Sequence, residues 1–271
     1  MLTSIRGVLA ATLLAGTALA ATPAFAEEET APPSDFTITG NAALVTDYRF
    51  RGLSQTSGDP AIQGGITVTH SSGFYLAAWA SSLDFKVLDA PFAPFTPYSD
   101  VYGNMELDIY GGWSGPLGGG ITADVGLLYY AYPTGDVGKA EFFEPYASVS
   151  ATVGPVTGKL GVAYAWKQES LDFNLDGDDD DNLYVFFDLS GGIPDTPVSL
   201  AAHVGYTKGA LTPKFATGQT LDYAGGWDWS IGGTFNITKN LSVGATYVGV
   251  DGATIDGYSD DTVVGTLKLS F

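Results

Sequence analysis

The sequence contains no cysteine and few basic residues, and both absences exclude whole classes of protein. Its 271 residues include 11 Lys and Arg against 30 Asp and Glu, so the formal net charge is −19. Without cysteine there is no disulfide scaffold, thiol catalysis or thiolate-bound metal. Nucleic acid binding needs clustered Lys and Arg, which so acidic a chain lacks. We therefore expect a fold without disulfides and no nucleic acid partner.

Histidines and long apolar runs are scarce as well. The two histidines are His70 and His203, and neither forms a recognisable catalytic group with residues such as Ser199 or Thr207. The glycine clusters lack the Lys of a phosphate-binding loop. We expect no enzymatic activity; a hydrolase, the alternative, would depend on Ser199 and His203. After residue 26, no apolar run approaches the roughly 18 residues of a membrane-spanning helix.

The first 26 residues have the features of a cleaved secretory signal peptide. Arg6 is the only charged residue before an apolar run, and small residues precede the predicted cleavage site after Ala26. A transmembrane helix is the competing interpretation, but the run is short and is interrupted by Thr and Gly. Residues 27–34 are acidic and contain proline, so we expect a flexible leader there and a single domain at 35–271.

What the chain does contain is alternation of polar and apolar residues, which is typical of β-strands with two different faces. From Phe36 to Phe50 the even-numbered residues are mostly apolar, whereas Asp47 and Arg49 occupy odd positions. Most segments are about as long as the 9–11 residues with which a tilted strand crosses a bilayer. Eleven further segments alternate in the same way: 61–70, 74–85, 102–113, 121–132, 142–153, 156–167, 182–190, 197–207, 223–236, 240–250 and 262–271.

These segments predict an all-β protein, a single closed antiparallel transmembrane β-barrel of about twelve strands. Short turns alternate with longer polar loops, as in outer-membrane barrels. The apolar faces contain no charged residue if Glu141 and Lys208 lie in loops. The alternative is a secreted soluble β-sandwich or small lipocalin-like barrel, whose apolar face would point inward. We expect an aromatic girdle near the long loops on the outward face, formed by Tyr48, Tyr129, Trp166, Tyr206, Trp227, Trp229 and Tyr247.

The charged faces of the strands would line the lumen of such a barrel. A constriction is expected at Arg49, Arg51, Glu106, Asp108 and Asp124. Acidic residues outnumber basic ones on these faces, so we expect a weak cation preference at most. Alternatively, the same charges form ion pairs that fill the lumen. The charged residues predicted to face inward are Asp47, Arg49, Asp84, Glu106, Asp108, Asp124, Glu144, Lys159, Lys167, Asp188, Asp228 and Lys268.

Two stretches near the start of the domain resemble a known family. The segment NAALVTDYRFRGLSQT at 41–56, followed by DPAIQGG at 59–65, is similar to the start of the TorF-type porin family. The sequences SGFY at 72–75 and WAS at 79–81 are similar to the next hairpin of that family. The resemblance covers roughly residues 36–85 and implies a Gram-negative outer-membrane barrel with channel activity. It implies no catalytic residues and no particular solute.

An acidic loop at 172–181 is the densest charge cluster of the chain. Asp172, Asn174, Asp176 and Asp178 follow the spacing of the first half of a calcium-binding loop, but Leu183 stands where a bidentate Glu would close it. We expect a solvated acidic loop, with loosely bound Ca²⁺ as the alternative and no other cofactor.

These features together predict a porin-like channel for passive diffusion of small hydrophilic solutes or ions. The alternative is a plugged structural or binding barrel whose loops contact lipopolysaccharide, metal or another partner. Outer-membrane lipids are expected around it. The ending, in which Val263, Leu267, Leu269 and Phe271 alternate with other residues, resembles the signal read by the barrel assembly machinery.

Overall fold

The computed structural model describes residues 34–86, 98–135, 140–172, 178–212, 225–252 and 254–271. The predicted signal peptide and nearly all of the predicted leader therefore lie outside the described residues. Within these ranges, no helix is long and apolar enough to cross a membrane.

The described part of the chain consists almost entirely of β-strands. One short helix, α1 (Tyr98–Tyr102), and one 3-10 turn at Glu169–Leu171 lie in connections. The strands, in chain order, are β1 (Phe36–Val45), β2 (Arg49–Phe50), β3 (Leu53–Ser54), β4 (Ala61–His70), β5 (Phe74–Ser82), β6 (Met105–Gly118), β7 (Ile121–Ala131), β8 (Phe142–Val153), β9 (Val156–Gln168), β10 (Asp180–Gly192), β11 (Val198–Gly209), β12 (Gly226–Asn236), β13 (Leu241–Val250) and β14 (Thr262–Ser270).

All strands except β2 and β3 form one closed antiparallel barrel of twelve strands, as the sequence predicts. Each strand pairs with its neighbours in sequence, and β1 closes the barrel by pairing with both β4 and β14. Closure leaves no edge strand, so the hydrogen-bonding groups of the backbone are satisfied within the wall. Short turns such as the one between β8 and β9 lie at one end of the barrel, here called the turn end. The longer connections lie at the other, the loop end.

The outward face of the barrel is apolar, which is the reverse of a soluble sandwich or lipocalin. Ile62 and Ile231, at outward positions of β4 and β12, are 72% and 64% exposed. In contrast, Glu106, Glu144 and Asp228 point inward and are buried. The alternation seen in the sequence thus separates an exposed apolar exterior from an interior that encloses the ionisable side chains.

Charges occur on the outward face only at the loop end, among the described strand residues. Lys208 lies within β11 and is exposed, so its predicted position in a loop is wrong. Glu141 precedes β8, as predicted. Asp181, near the start of β10, accepts a hydrogen bond from the hydroxyl of Tyr164 at 2.8 Å. Charged groups at strand ends suit the level of lipid headgroups rather than hydrocarbon.

Two predictions about the first three strands are wrong. The first strand ends at Val45 instead of continuing to Phe50, because the chain then turns inward. In β5 the inward residues are the odd-numbered ones, including Trp79, so the predicted phase of this strand is inverted. Asp84, which was predicted to face the lumen, lies in a connection because β5 ends at Ser82, and its carboxylate is 3.2 Å from the ammonium of Lys86.

We predict that Ile231→Arg destabilises the folded protein in lipid vesicles by about 2–4 kcal/mol, because it places a charge near the middle of the outward face. Ser230→Arg is the matched control, since Ser230 points inward beside His203. The charge of the introduced arginine would therefore lie among acidic side chains. Equilibrium unfolding by urea in vesicles measures both variants. Equal losses for the two would contradict the assignment of the faces.

Candidate functional site

The lumen contains a segment that the sequence does not predict to be there, residues 46–60, here called the inner hairpin. Val45 pairs directly with Ala61, so the chain leaves the wall and returns to it at the same level. Between them, β2 and β3 form a hairpin whose turn is Arg51 and Gly52. Both turn residues have positive φ, of 47° and 82°, as the two-residue turns that match strand twist require.

Gly52 is required at the tip by packing as well as by φ. A Cβ there would lie 2.1 Å from Cγ1 of Val250 in β13 and 3.3 Å from Cβ of Asp228 in β12. The tip therefore reaches the wall formed by β12 and β13. Tyr48 and Leu53 of the inner hairpin are buried in a cluster with side chains of the wall, so the loop end of the lumen is packed.

Asp47 organises the inner hairpin from within. Its carboxylate accepts hydrogen bonds from Nε of Arg49 at 2.5 Å, from the hydroxyl of Ser54 at 2.6 Å and from that of Thr56 at 3.1 Å. Asp47 and Arg49 are thus buried, and they lie within the inner hairpin rather than on a barrel strand. Arg49 also donates from Nη1 to the carbonyl of Tyr258 at 3.0 Å. The hairpin is therefore tied to the connection between β13 and β14.

Arg51 joins the tip of the inner hairpin to the opposite wall. Its Nη2 lies 2.7 Å from both carboxylate oxygens of Glu144 in β8, and both side chains are buried. The hydroxyl of Tyr130 donates to the same carboxylate at 3.0 Å. The guanidinium also lies 4.2 Å from the ring centre of Tyr184 in β10, a cation–π contact.

Tyr48 makes the third connection between the inner hairpin and the wall. Its hydroxyl donates to Oε1 of Glu106 at 2.8 Å, and its ring meets that of Trp79 edge to face at 5.4 Å. Tyr48 therefore does not belong to the outward girdle, where the sequence placed it. The contact also explains why Trp79, which fits poorly on a lipid face, points inward. Asp108, two residues after Glu106 on the same face, is fully buried.

Nearer the turn end, the inward charges are paired with hydroxyl groups and with a histidine. Asp124 accepts a hydrogen bond from Tyr75 at 2.7 Å and has no part in the contacts of the inner hairpin. The ring of His203 lies between Asp188 and Asp228, with nitrogen to oxygen distances of 2.6 and 2.9 Å. Both ring nitrogens of His203 are therefore bonded to carboxylates, and neither is bonded to Ser199, the residue on which a hydrolase would depend.

The remaining predicted lumen residues lie apart from the inner hairpin. Lys159 and Lys268 point inward near the turn end, and the ammonium of Lys159 is 5.5 Å from the ring centre of Phe186. Lys167 is exposed at the rim. Outside the strands, a hydrogen bond to Asp59 raises the pKa of Lys86 above its ordinary value.

The predicted calcium loop is only partly covered by the structure. Asn174 and Asp176 lie outside the described residues, while Asp172 and Asp178 border the gap. In the ranges that the structure describes, no group of three His, Cys, Asp or Glu side chains is placed to hold a metal ion. Calcium binding by this loop stays a prediction.

We predict that Tyr48→Phe destabilises the barrel by about 1–3 kcal/mol, because the buried carboxylate of Glu106 loses a hydrogen bond. Tyr164→Phe is a matched control, since its hydroxyl makes a bond of the same length to Asp181 at an exposed site. Removing that solvated contact should cost much less. Guanidinium unfolding in detergent micelles compares the two; similar losses would show that Tyr48 is not buried against Glu106.

The fold is similar to that of solved porins. The NanC porin matches with a TM-score of 0.55 and 11% identity, covering 87% of this chain and 99% of that chain. The KdgM porin matches with a TM-score of 0.52 and 8% identity, covering 86% of this chain and 98% of that chain. At such identities the similarity shows the shared fold alone.

Comparison of sequences shows the family. No curated protein matches the sequence. The TorF-type resemblance is not confirmed by these comparisons and stays a prediction. A family model described as a bacterial protein of unknown function, Gcw_chp, matches residues 29–271. The chain therefore belongs to the Gcw_chp family.

Proposed function

We propose that the protein is an outer-membrane channel of a Gram-negative cell that passes small hydrophilic solutes or ions, with the inner hairpin as its constriction. The observation that carries this proposal is the separation of the two faces: apolar side chains such as Ile62 are exposed outside, while ionisable ones such as Glu144 are enclosed. A closed barrel also leaves no unsatisfied backbone group in hydrocarbon. The porin fold of NanC and KdgM supports the same role.

The charges in the lumen favour cations and neutral solutes over anions. KdgM has been solved in complex with an oligogalacturonate, which is an acidic sugar chain. In this protein, the inward acids Glu106, Asp108 and Glu144 lie near the inner hairpin, where Arg51 is bonded to Glu144. Such a lumen would repel a polyanion. We therefore propose a different solute class for this chain.

The orientation and surroundings follow from the same proposal. The turn end would face the periplasm and the loop end the cell exterior, as in other outer-membrane barrels. Lys208 and the aromatic residues of the loop end, such as Trp227, would then lie at the level of lipopolysaccharide headgroups. The apolar ending at Leu269 and Phe271 would be read by the assembly machinery.

A second candidate function is a plugged barrel with a structural or binding role. It is favoured by one observation: the inner hairpin is held by buried contacts to three parts of the wall, through Tyr48, Arg51 and Gly52. In that case the long loops, not the lumen, would carry the function.

Planar bilayer recording of the refolded protein distinguishes the two candidates. The channel predicts discrete conductance steps with a reversal potential that favours cations in a salt gradient. If well-folded protein inserts but gives no conductance steps, the channel is rejected and the structural or binding role of a plugged barrel remains.

A further inference from the structure

Asp108 is a buried carboxylate that has no hydrogen-bond partner within the part of the chain that the structure describes. It is fully buried on the inward face of β6, and neither of its oxygens has a hydrogen-bond partner among the described residues. The other acids of the expected constriction differ in this respect. Glu106 accepts a hydrogen bond from Tyr48, and Asp124 accepts one from Tyr75. Asp108 therefore needs something that the neighbouring side chains do not supply.

The immediate walls around Asp108 are aromatic. Strand pairing places it directly opposite Trp79 in β5 and Tyr130 in β7, and all three residues point inward. The hydroxyl proton of Tyr130 is already donated to Glu144. Tyr48 of the inner hairpin packs edge to face against Trp79, with the ring centres 5.4 Å apart.

The charges near Asp108 do not balance. Glu106 lies two residues away on the same face of β6, and Glu144 is held by Arg51. Neither Glu106 nor Asp108 forms an ion pair with a Lys, Arg or His of the described ranges. Two carboxylates so close in a buried space must be neutralised by a proton or by a bound cation, because an unpaired buried charge is very costly.

We propose that Glu106 and Asp108 bind one monovalent alkali cation, such as K⁺, beneath the inner hairpin. Carboxylate and hydroxyl oxygens are hard ligands that suit such ions. A tightly held divalent ion is not favoured, because the described part of the chain has no group of three metal-ligating side chains. Trp79, which is paired with Asp108 across β5 and β6, adds an aromatic ring to the surroundings, and aromatic rings attract cations.

This site would add a cation-binding step to the proposed channel. Only its role in conduction rests on the proposed function. It would be the point at which the lumen holds cations and discriminates against anions. Binding itself does not require a current and is measured separately.

The test is the thermal unfolding of the refolded protein in detergent micelles, with KCl exchanged for N-methylglucamine chloride at constant ionic strength. The wild-type midpoint should rise with K⁺ by about 3–5 °C for each tenfold increase above the dissociation constant. Asp108→Asn should unfold at the same temperature in both salts. Asp188→Asn is the control and should keep the K⁺ dependence, because Asp188 lies nearer the turn end and its carboxylate is bonded to the ring of His203.

A wild-type midpoint that ignores K⁺ but rises as the pH is lowered would show that a proton neutralises Asp108, and would overturn the proposal. If Asp108→Asn does not fold, Glu106→Gln replaces it and should likewise unfold at the same temperature in both salts. The K⁺ titration of the wild-type protein is unaffected by this change. Bilayer recording separates this site from the channel function. K⁺-dependent unfolding without conductance would retain the site and reject the channel, whereas conductance without K⁺ dependence would do the reverse.

Discussion

Replacing the inner hairpin by a short Gly–Ser turn between Val45 and Ala61 is expected to raise the single-channel conductance several-fold. These two residues pair directly across β1 and β4, so a short turn closes the gap without straining the wall. The deletion removes the buried side chains of Tyr48, Arg49 and Arg51 from the loop end of the lumen. What remains is a wider path lined by ionisable and aromatic side chains such as Glu106 and Tyr130, and wider barrels conduct more freely. Planar bilayer recording at fixed salt measures the change.

The control for this deletion is the same Gly–Ser turn introduced into a connection at the turn end. A Gly–Ser turn in place of Asp195 and Thr196, between β10 and β11, alters an exposed connection and should leave conductance unchanged. Circular dichroism and the heat-dependent gel shift of folded barrels establish that both variants fold. A folded deletion variant with wild-type conductance would show that the inner hairpin does not restrict the path.

Arg51→Met is expected to destabilise the barrel by about 3–5 kcal/mol, because it leaves the carboxylate of Glu144 buried without its cation. Tyr130 alone cannot replace the guanidinium, whose Nη2 contacts both oxygens of Glu144 at 2.7 Å. The lost contact should also loosen the inner hairpin, so the current should become larger and noisier. Chemical unfolding in micelles measures the stability, and bilayer recording measures the current.

The double variant Arg51→Met with Glu144→Leu should recover most of the lost stability, since it removes both charges together. Lys86→Met provides the comparison at an exposed site, where Lys86 pairs with Asp59 and Asp84, and should change stability little. If the double variant were as unstable as Arg51→Met, the loss would come from packing around the tip rather than from the unpaired carboxylate.

The barrel wall could be predicted from the sequence because its signal is local. Side chains of a strand point alternately to its two faces. In β12, Ile231 is apolar whereas Asp228 and Ser230 are polar, so the sequence itself indicates which residues face outward. Closure followed from the number and length of the segments. Errors at strand ends, such as Lys208 within β11, arose because a charge at the end of a strand does not prevent backbone pairing there.

The inner hairpin could not be predicted in the same way, because β2 is also extended and the sequence keeps the alternation of β1, with Asp47 and Arg49 both at odd positions. One signal was available in the sequence. The predicted strand from Phe36 to Phe50 was longer than the 9–11 residues that roughly span a bilayer. The decisive contacts join distant parts of the chain, as Arg51 and Glu144 are 93 residues apart.

Which residues of β5 point inward depends on the inner hairpin. Its two faces are similarly apolar, with Phe74 and Leu76 on one and Tyr75 and Ala77 on the other, so alternation alone does not choose between them. Trp79 points inward because Tyr48 of the inner hairpin provides it with a partner. A residue whose partner comes from a connection cannot be oriented from its own strand.

The most direct test of the account is to map lipid contact along one strand with single cysteines, which is simple in a chain that has none. A fluorescent label at Ile231 or Phe235 of β12 should be quenched by brominated lipid, whereas a label at Ser230 or Thr234 should not. Quenching that alternates in this way would support an apolar exterior in lipid around an enclosed polar lumen. Quenching at Ser230 and Thr234 instead, or at none of the four positions, would contradict it.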